Sequence, residues 1–449
     1  MHHPKECRKI LEMRDNGNLD RIGTLPDELL ANILSFLPTL SAVQTSILSS
    51  RWRYLFTLTR NLSFDDIEYF GTASSDQCEE RKTSFERFVY GVLALHRISL
   101  IHTFSLKLTK NLKYDCSHLL VWITAAVLKG VQHLHLRIGN HPNALPSCIL
   151  NCQTLTVLRI YTSGYDLSVP GVVCLPNLRT LDLRNIRFLD GDSVKRFFDG
   201  CSQLKELAFH FCQFTTDHVR VSATKLRKLN IICCGGHVVI DAPNLVNLLY
   251  VCTDFTSVDV KNLRSPLSVE LRPLRTSMPP QVHVLHYIIR GAVNAKELIL
   301  NHDASRLLTV IGDNPKPTSS KLERLLLGNC CRGTWKYLTA WLANSPQLET
   351  VVFKRGLIQK NDTEHELHSD VALAPFSSNV RTVTVYKFEG HKLELLLLKY
   401  LLENARVLQK LILFKRGTMD MEQELQVSKE LLLLPKASTY CTIELKKKP

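Results

Sequence analysis

The amino-acid sequence predicts an α/β fold in which a small N-terminal helical module precedes a solenoid of parallel strands. Two observations support this prediction. From about residue 95 onward a short apolar phrase recurs at regular intervals, and the first 65 residues carry helix signals in its place. The chain has 449 residues, 45% of them hydrophobic, so it is long enough to bury a sizeable core.

The recurring phrase has the form Leu-x-x-Leu-x-Leu and predicts a short strand in each copy. Its alternating apolar residues point to one face, which one copy cannot bury alone, so neighbouring copies must stack in parallel. The spacing of roughly 20 to 30 residues indicates a leucine-rich-repeat solenoid. Buried strands of some other α/β fold are the alternative. The copies begin at Leu155, Leu178, Leu204, Leu226, Leu245, Ala295, Leu322, Leu348, Val380 and Leu408.

Proline-rich and polar stretches interrupt the repeats. Several prolines intrude between residues 254 and 293, and because proline cannot donate to a central ladder, we expect an irregular insertion or a degenerate repeat there. Two polar loops follow, at 312–320 and 356–379. Such loops are natural positions for functional residues on a repeat scaffold.

The N-terminal residues predict three short helical segments. The first begins after Pro26 and stops at Pro38, the second begins with Thr39 or Ser41 as its cap, and a helical turn follows around Trp52. A module this small cannot bury all its apolar side chains, so it needs the solenoid or another protein as a partner. The residues expected on one apolar face of the first helix are Leu29, Leu30, Ile33, Leu34 and Leu37.

This module strongly resembles an F-box. The resemblance lies in residues 25–38, LPDELLANILSFLP, and in residues 48–53, LSSRWR. Near the other end, residues 380–390, VRTVTVYKFEG, and 399–411, KYLLENARVLQKL, resemble the FBD domain. Repeat phrases such as PNLRTL at 176–181 are also similar to that family's, so the resemblance to a plant F-box/FBD/LRR-repeat protein covers most of the chain.

The resemblance implies an order of domains along the chain. Some boundaries follow from the repeats and others from the two resembling segments. The expected domains are an F-box at 20–66, a linker and first helix at 67–94, leucine-rich repeats at 95–355 with the irregular insertion near 254–293, an FBD-like α/β domain at 375–415 and a C-terminal segment at 416–449.

The resemblance also implies the substrate-recognition role of an SCF-type cullin ubiquitin ligase. In that role the F-box binds a Skp-type adaptor, the adaptor joins a cullin, and other subunits ubiquitinate the target that the repeats hold. Docking of the same apolar residues onto the solenoid is the alternative. The positions carried over as adaptor-binding or module-core residues are Leu25, Pro26, Leu29, Ile33, Leu34, Leu37, Val43, Leu48, Arg51 and Trp52.

Four positions depart from the family pattern. The family usually has a basic residue at Leu40, often Arg at Gln44 and Lys at Ser50, and Trp at Phe56. These departures leave a second function open, that of a leucine-rich-repeat binding scaffold with a degenerate F-box and no ligase role.

Strand alternation indicates which side chains face outward from the repeats. In the early repeats these are mostly basic and aromatic, and in the later ones apolar. We hypothesise that an acidic or phosphorylated target segment meets the early residues, with the later ones as an apolar anchor; basic side chains that only keep the protein soluble are the alternative. The early set is His135, Arg137, Arg159, Tyr161, Asp182, Arg184 and His210, and the later set is Leu249, Val251, Leu326, Val352, Ile412 and Phe414.

Other functional classes find little support in the sequence. Motifs for serine hydrolases, phosphate-binding loops, dinucleotide binding and zinc proteases are absent, so we expect a non-catalytic protein without a cofactor or metal. The cluster EHELH at 364–368 lacks the partners of a zinc site. A net charge of +14 makes nucleic-acid binding an alternative, although unclustered charge is weak evidence for it.

Localisation follows from similar considerations. No apolar run is long enough to span a membrane, the N-terminus lacks the apolar stretch of a signal peptide, and the 14 cysteines lack CxxC spacing. We expect reduced core cysteines, no membrane partner, and a nuclear and/or cytoplasmic location.

Overall fold

The computed structural model divides the chain into two compact units, Met1–Val157 and Leu158–Pro449. The residues that the structure describes are 22–70, 78–108, 114–139, 145–167, 169–189, 191–214, 218–235, 237–252, 258–261, 267–273, 295–301, 321–328, 345–358, 379–417 and 419–447, together with Trp335, Leu338 and Leu342.

The first unit joins a helical module to three parallel strands in the order β1-β2-β3. Its elements are α1 (Asp27–Leu34), α2 (Thr39–Gln44), two 3₁₀ segments (Thr45–Ile47 and Trp52–Leu58), β1 (Asn61–Asp65), α3 (Asp66–Phe70), α4 (Cys78–Leu95), β2 (Thr103–Lys107), α5 (Cys116–Leu128), β3 (His133–Arg137) and a 3₁₀ turn (Ser147–Asn151).

Aromatic packing organises the core of this unit. The ring of Phe64 on β1 lies 5.7 Å from that of Phe104 on β2, and Phe85 of α4 meets Trp122 of α5 edge-on at 6.3 Å. All four side chains are buried. Such edge-to-face and tilted contacts are the preferred arrangements of aromatic rings, and they fix how the helices cover the strands.

The second unit is built on a parallel sheet in the order β4-β5-β6-β9-β11-β13-β14-β15-β16-β17-β18-β19. Its strands are β4 (Val157–Leu167), β5 (Thr180–Phe188), β6 (Glu206–His210), β7 (Gln213–Phe214), β8 (His218–Ser222), β9 (Lys228–Ile232), β10 (His237–Asp241), β11 (Asn247–Cys252), β12 (Val258–Lys261), β13 (Leu267–Pro273), β14 (Ala295–Leu300), β15 (Arg324–Leu327), β16 (Thr350–Phe353), β17 (Thr382–Phe388), β18 (Lys410–Lys415) and β19 (Thr442–Lys447). The described helices are α6 (Gly191–Asp199), α7 (Lys392–Asn404) and α8 (Met421–Leu433).

All ten copies of the Leu-x-x-Leu-x-Leu phrase lead into or form strands of this sheet, which confirms the repeat prediction. The register shows why the phrase recurs. Leu325 lies opposite Val351, and Val351 lies opposite Val383, so one buried side chain per strand forms a continuous row. Each repeat thereby covers the apolar face of its neighbour.

The proline-rich stretch near 254–293 continues the sheet where the structure describes it. Leu267–Pro273 forms β13, which pairs with β11 on one side and β14 on the other. Pro273 is the last residue of its strand, a position where a missing N–H is tolerated. At these residues the stretch is a degenerate repeat, the second of the two expected alternatives. Residues 274–294 lie outside the described part.

A second, smaller sheet was not predicted from the sequence. The strands β8, β10 and β12 pair in parallel in the order β12-β10-β8. Its described inward side chains are buried, for example Val219, Val221, Val238 and Ile240. The sequence feature that could have predicted this sheet is a pair of β-branched residues two positions apart, which recurs once in each of these successive repeats. This pair is shorter than the leucine phrase and recurs with the same period.

A left-handed residue follows the strand at the same place in several repeats. Asn185, Phe211 and Cys233 have φ between 52° and 56°, and each comes one residue after Arg184, His210 and Ile232, which lie opposite one another in register. Lys387 repeats this conformation at a register shift in β17. The backbone therefore turns at the same place in each of these repeats: β6 and β9 end there, whereas β5 and β17 continue past the left-handed residue.

Candidate functional site

The three predicted helical segments of the N-terminal module are present, with α1 beginning after Pro26 and α2 after Pro38. The predicted cap of α2 is wrong, because Pro38 takes the cap position and Thr39 is the first helical residue, and α1 already ends at Leu34. Each proline lies just before a helix and so loses no intrahelical hydrogen bond there. The acidic residues Asp27 and Glu28 lie in the first turn of α1, where the helix dipole favours negative charge.

The apolar residues of α1 divide between two faces. Leu30 and Leu34 are buried, with Ala42, Leu55 and Phe56, in the core of the module. The predicted apolar face is therefore buried on one side and exposed on the other, and Leu34, 1% exposed, takes the core role and not the adaptor-binding role of the two expected for it.

Six other large apolar side chains on α1 and the segments that follow it are solvent-exposed. Their exposed fractions run from 40% for Leu37 to 88% for Phe36. Two of them, Phe36 and Ile47, were not among the residues carried over from the F-box resemblance. We call these six side chains the exposed apolar group: Leu29, Ile33, Phe36, Leu37, Ile47 and Leu48.

Exposure of the group argues against the alternative in which these residues dock onto the repeats. A docked side chain would be covered by the rest of the chain, whereas Ile33 is 45% and Leu48 is 65% exposed. Single exposed leucines are common, but six large apolar side chains on so short a module are typical of a protein-binding surface. Of the remaining predicted positions, Pro26 is exposed, and Leu25, Val43 and Trp52 are half-buried.

Arg51 joins two segments of the module by hydrogen bonds. Its guanidinium donates to Asp27 Oδ1 through Nε at 2.9 Å and through Nη2 at 2.7 Å, and it also donates to the carbonyl oxygens of Gly23 and Leu25. The planar guanidinium presents its five N–H donors in a rigid fork spread over three nitrogen atoms, whereas a lysine has a single nitrogen. Arg51 therefore holds the chain before α1 against the segment that follows α2.

The four departures from the family pattern fall on different parts of the module. Phe56 is buried in the core, so a Phe in place of the family's Trp changes the packing of the core. Gln44 and Ser50 are exposed, and Leu40 is half-buried. Three of the four departures therefore lie where they alter the surface more than the fold.

Hydrogen bonds tie the module to the first strand of the unit. Ser63 N–H donates to Thr39 Oγ1 at 2.7 Å, and the Asn61 side-chain amide donates to the Ser35 carbonyl at 3.0 Å. A pocket of about 510 Å³ opens at this junction, beside Phe36, with Arg60 and His102 in its lining. These hydrogen bonds attach the helices that bear the exposed apolar group to β1.

His96 completes this attachment. It is 4% exposed, and its Nε2 donates to the Thr59 carbonyl at 2.8 Å, which requires a proton on Nε2. Burial lowers the pKa of His96 below its ordinary value of 6.5. The imidazole is therefore neutral at pH 7.

We expect the free energy of unfolding to fall as the solution is acidified below about pH 6.5. The unfolded chain takes up a proton on His96 there, while the folded chain resists until the pH passes below the depressed pKa. Denaturation at pH 7.5 and 5.5 measures the difference, which should be smaller for His96→Gln, since glutamine keeps the donor to Thr59 without titrating. An equal pH dependence in both proteins would contradict this role.

On the second unit, four of the predicted outward residues meet at one cluster. The Arg184 guanidinium donates to both carboxylate oxygens of Asp182, at 3.1 and 2.9 Å, and lies over the Tyr161 ring, 4.1 Å from its centroid. The Tyr161 hydroxyl donates to Asp182 Oδ2 at 2.9 Å, and His210 Nε2 lies 3.9 Å from Asp182 Oδ1. Asp182 is the centre of this cluster and is only 9% exposed.

The cluster is less basic than the sequence indicated. Asp182 compensates the charge of Arg184, and burial together with the nearby Arg184 lowers the pKa of His210, so its imidazole is neutral at pH 7. Burial and the hydrogen bond to Asp182 raise the pKa of Tyr161, so its phenol keeps its proton. Arg159 adds a further positive charge, which acts on Tyr161.

His135 and Arg137 lie on β3, in the first unit. The ring of His135 is parallel to that of His133 at 6.5 Å, and His133 lies 4.4 Å from His102. Arg137 is exposed and lies opposite Lys107 in the ladder. These side chains form a histidine-rich and basic face on β2 and β3.

The later outward positions are apolar, as predicted, and form a row. Leu326 lies opposite Val352, Val352 lies opposite the polar Thr384, and Thr384 lies opposite Ile412. Leu326 is 9% and Val352 8% exposed, so they present a narrow apolar strip. Beside it, the rings of Tyr386 and Phe414 stack at 4.7 Å; Leu249 is half-buried and Val251 buried on earlier strands.

Other candidate chemistry gains nothing from the structure. Among the described residues no group of three or more His, Cys, Asp or Glu side chains could hold a metal ion, and the EHELH segment lies outside them. Cys152, Cys201, Cys212 and Cys234 are buried free thiols, as predicted. In the same part of the chain no helix has the length and apolar character needed to cross a bilayer.

Three family models match the chain. An F-box domain model matches residues 22–63, a model described as "FBD-associated F-box protein At5g56370, LRR repeats" matches residues 119–288, and an FBD model matches residues 375–413. The matched residues include the module, the repeats that follow it, and the strand and helix β17 and α7.

Several proteins of Arabidopsis thaliana are similar over nearly their whole length. F-box/LRR-repeat protein At4g14103 is 32% identical over 77% of this chain and 94% of its own length. F-box/LRR-repeat protein At4g14096 is 30% identical over 96% of this chain and 95% of its own, and F-box/LRR-repeat protein At3g59200 is 30% identical over 95% and 88%.

The fold and the site define a repeat protein that carries a small helical module with an apolar surface for another protein. Parallel leucine-rich repeats supply a second surface of the same kind. The chain belongs to the plant F-box/LRR-repeat family and has the FBD segment found in some of its members. Both of its main domains serve protein interaction.

Proposed function

We propose that this chain is the substrate-recognition subunit of an SCF-type cullin ubiquitin ligase. The exposed apolar group binds a Skp-type adaptor, and through the adaptor a cullin, while the repeats hold a target protein. The chain itself contributes no chemical step, and it works in the nucleus and/or the cytoplasm. The observation that supports this most is the division of α1, in which Leu30 and Leu34 fill the core and leave Leu29 and Ile33 uncovered.

Co-purification from plant cells tests the assembly. The full chain with an affinity tag should retain both adaptor and cullin, and a variant in which Leu29, Ile33 and Leu37 are alanine should lose both together. If the tagged chain retains the adaptor and not the cullin, adaptor binding is still supported. If the intact chain retains neither, the family departures at Leu40, Gln44 and Ser50 have made the F-box degenerate, and the repeat-scaffold function replaces the ligase role.

For the target, we propose an acidic or phosphorylated segment beside an apolar one. In the second unit, support comes from Arg159 beside Tyr161 and from the apolar strip of Leu326 and Val352. In the first unit, the exposed charge of Arg137 on β3 supports a basic contact by itself. Arg184 contributes less, since Asp182 compensates its charge. Complementary charge raises the selectivity and the association rate of such an interaction, and the apolar contact slows its dissociation.

Charge reversal separates target capture from adaptor binding. We expect Arg159→Glu and Arg137→Glu, made separately, each to lower target capture about tenfold or more, as loss of a complementary charge at an interface does. Adaptor binding should be unchanged in both. Lys225→Glu is the matched control, because Lys225 is an exposed turn residue before β9. Undiminished capture by both arginine variants would contradict the role of these charges.

A further inference from the structure

The last strand of the second unit has a free edge. The strand β19 pairs in parallel with β18, and among the described residues no other strand lies along its second edge. Its apolar residues Ile443 and Leu445 are half-exposed, whereas Leu411 and Leu413, their neighbours on β18, are fully buried. In this unit β19 is thus a terminal strand whose backbone can accept another strand.

The terminal repeat also leaves apolar side chains uncovered outside the sheet. On α8, Val427 and Leu431 are buried, while Met421, Leu425 and Leu432 are 59–88% exposed and share a different helix face. Tyr440, just before β19, is 85% exposed. The end of a repeat array normally has a polar outer face, so this apolar end is typical of an array that continues into a partner.

The ladder fixes which backbone groups point to the free edge. Thr442 N–H donates to the carbonyl of Gln409, the residue just before β18. Backbone groups alternate along a strand, so Glu444 and Lys446 also face β18, whereas the N–H and C=O groups of Ile443 and Leu445 face away from it. A partner strand must therefore form its hydrogen bonds with these outward-facing residues.

We propose that this edge binds β19 of a second copy of the chain, antiparallel, with the two-fold axis at Leu445. In that register Leu445 exchanges its N–H and C=O with Leu445 of the second copy, as in a hydrogen-bonded antiparallel pair. Glu444 then lies directly opposite Lys446 of the second copy, and the symmetry repeats this charge pair on the other side of the axis. The register centred on Ile443 has no such pairing, because it sets Glu444 opposite Thr442.

Charge complementarity is what selects the second copy as the occupant. Lysines on an edge strand usually prevent pairing, and β19 carries Lys446 and Lys447. Within one chain Lys446 already lies 2.6 Å from Glu444, so both charges stand on the same face of the strand. A strand that alternates these charges is complementary to its own antiparallel copy, and opposite charges across strands stabilise pairing where like charges oppose it.

The consequence is a receptor with two F-box modules and two repeat surfaces. Linking two binding sites in one particle raises the apparent affinity for a target that presents two segments, without any new contact.

Sedimentation of the purified full chain tests the pairing. We expect the wild-type chain to sediment as a dimer, and Glu444→Lys and Lys446→Glu, each alone, to weaken dimerisation about tenfold or more, because each sets two like-charge pairs across the axis. An equimolar mixture of the two variants should restore the dimer as a heterodimer, since every lysine of one then faces a glutamate of the other. Lys429→Glu, an exposed change on α8, is the control and should leave the dimer intact.

The mixing experiment distinguishes pairing from a change within one chain. A wild-type chain that stays monomeric at about 100 μM, well above the Kd of a micromolar complex, overturns the proposal and leaves Lys446 as a guard of the edge. A dimer that neither single variant weakens also overturns it, because the copies then associate elsewhere. A weakened dimer that mixing does not restore overturns the register.

Discussion

Replacing Leu29, Ile33 and Leu37 together by alanine should lower the affinity for a Skp-type adaptor by at least about 100-fold, while replacing Leu34 alone should lower the stability of the module. The exposed side chains are free to enter a partner's pockets, and truncating several such anchors costs about 2 kcal/mol or more each at the most sensitive positions. Leu34 is 1% exposed, and its truncation leaves a cavity that costs about 2–5 kcal/mol.

The two variants are separated by measuring affinity and stability on the same preparations. Titration calorimetry gives the adaptor affinity, and chemical denaturation gives the free energy of unfolding. The triple variant should unfold nearly like the wild type, because its side chains are already in solvent. Val121→Ala with Leu128→Ala is the matched control, since both residues are exposed on α5 in the same unit. Adaptor affinity equal to that of this control would show that the exposed apolar group is not the binding surface.

The second large effect is expected at Glu394, in the FBD segment. Its side chain is 2% exposed, and Oε2 accepts hydrogen bonds from the backbone N–H groups of Glu389, Gly390 and His391, at 3.0, 2.9 and 3.4 Å. The carboxylate thus closes the turn between β17 and α7. Burial raises the pKa of Glu394, and these three donors oppose that rise.

We expect Glu394→Ala to lower the free energy of unfolding by about 2–4 kcal/mol, because it leaves three partly buried backbone N–H groups without their acceptor. Glu394→Gln keeps one acceptor oxygen and should lose less. Glu403→Ala on the same helix is the control: Glu403 is exposed, its pair with Lys399 spans 3.9 Å, and such a pair contributes at most about 0.5 kcal/mol. Similar denaturation curves for Glu394→Ala and Glu403→Ala would contradict the role of Glu394.

The repeat architecture could be predicted from the sequence because its cause is periodic. Each strand needs a buried residue that meets the buried residue of the next strand, as Leu325 meets Val351, and that need is written into every copy of the leucine phrase. The helical module could be predicted for a different, local reason, because Pro26 and Pro38 mark where its helices begin.

The division of the module into core and surface could not be predicted in the same way. Ile33 and Leu34 are equally apolar, and only the packing of the following 3₁₀ segment decides which of them is covered. Phe36 and Ile47 were missed because an F-box pattern marks residue type and not exposure. Position in a pattern therefore identifies the module but not its binding side chains.

The cluster around Asp182 shows a different limit. Asp182 and Arg184 are two residues apart on one strand, so the sequence places them on the same face. It does not show that the Asp182 carboxylate pairs with the Arg184 guanidinium and cancels its charge. The geometry shows that Arg184 bonds to the neighbouring carboxylate through two nitrogen atoms. A count of basic residues on a surface overstates its positive charge wherever such pairs occur.

The most direct measurement of the adaptor-binding role is a calorimetric titration of the purified, folded full chain with a purified Skp-type adaptor. We expect one adaptor bound per chain with a Kd of about 1 μM or lower, about −8 kcal/mol. No binding at an adaptor concentration of about 100 μM, a hundred times that Kd, would contradict the proposed role and leave the repeats as a scaffold without a ligase.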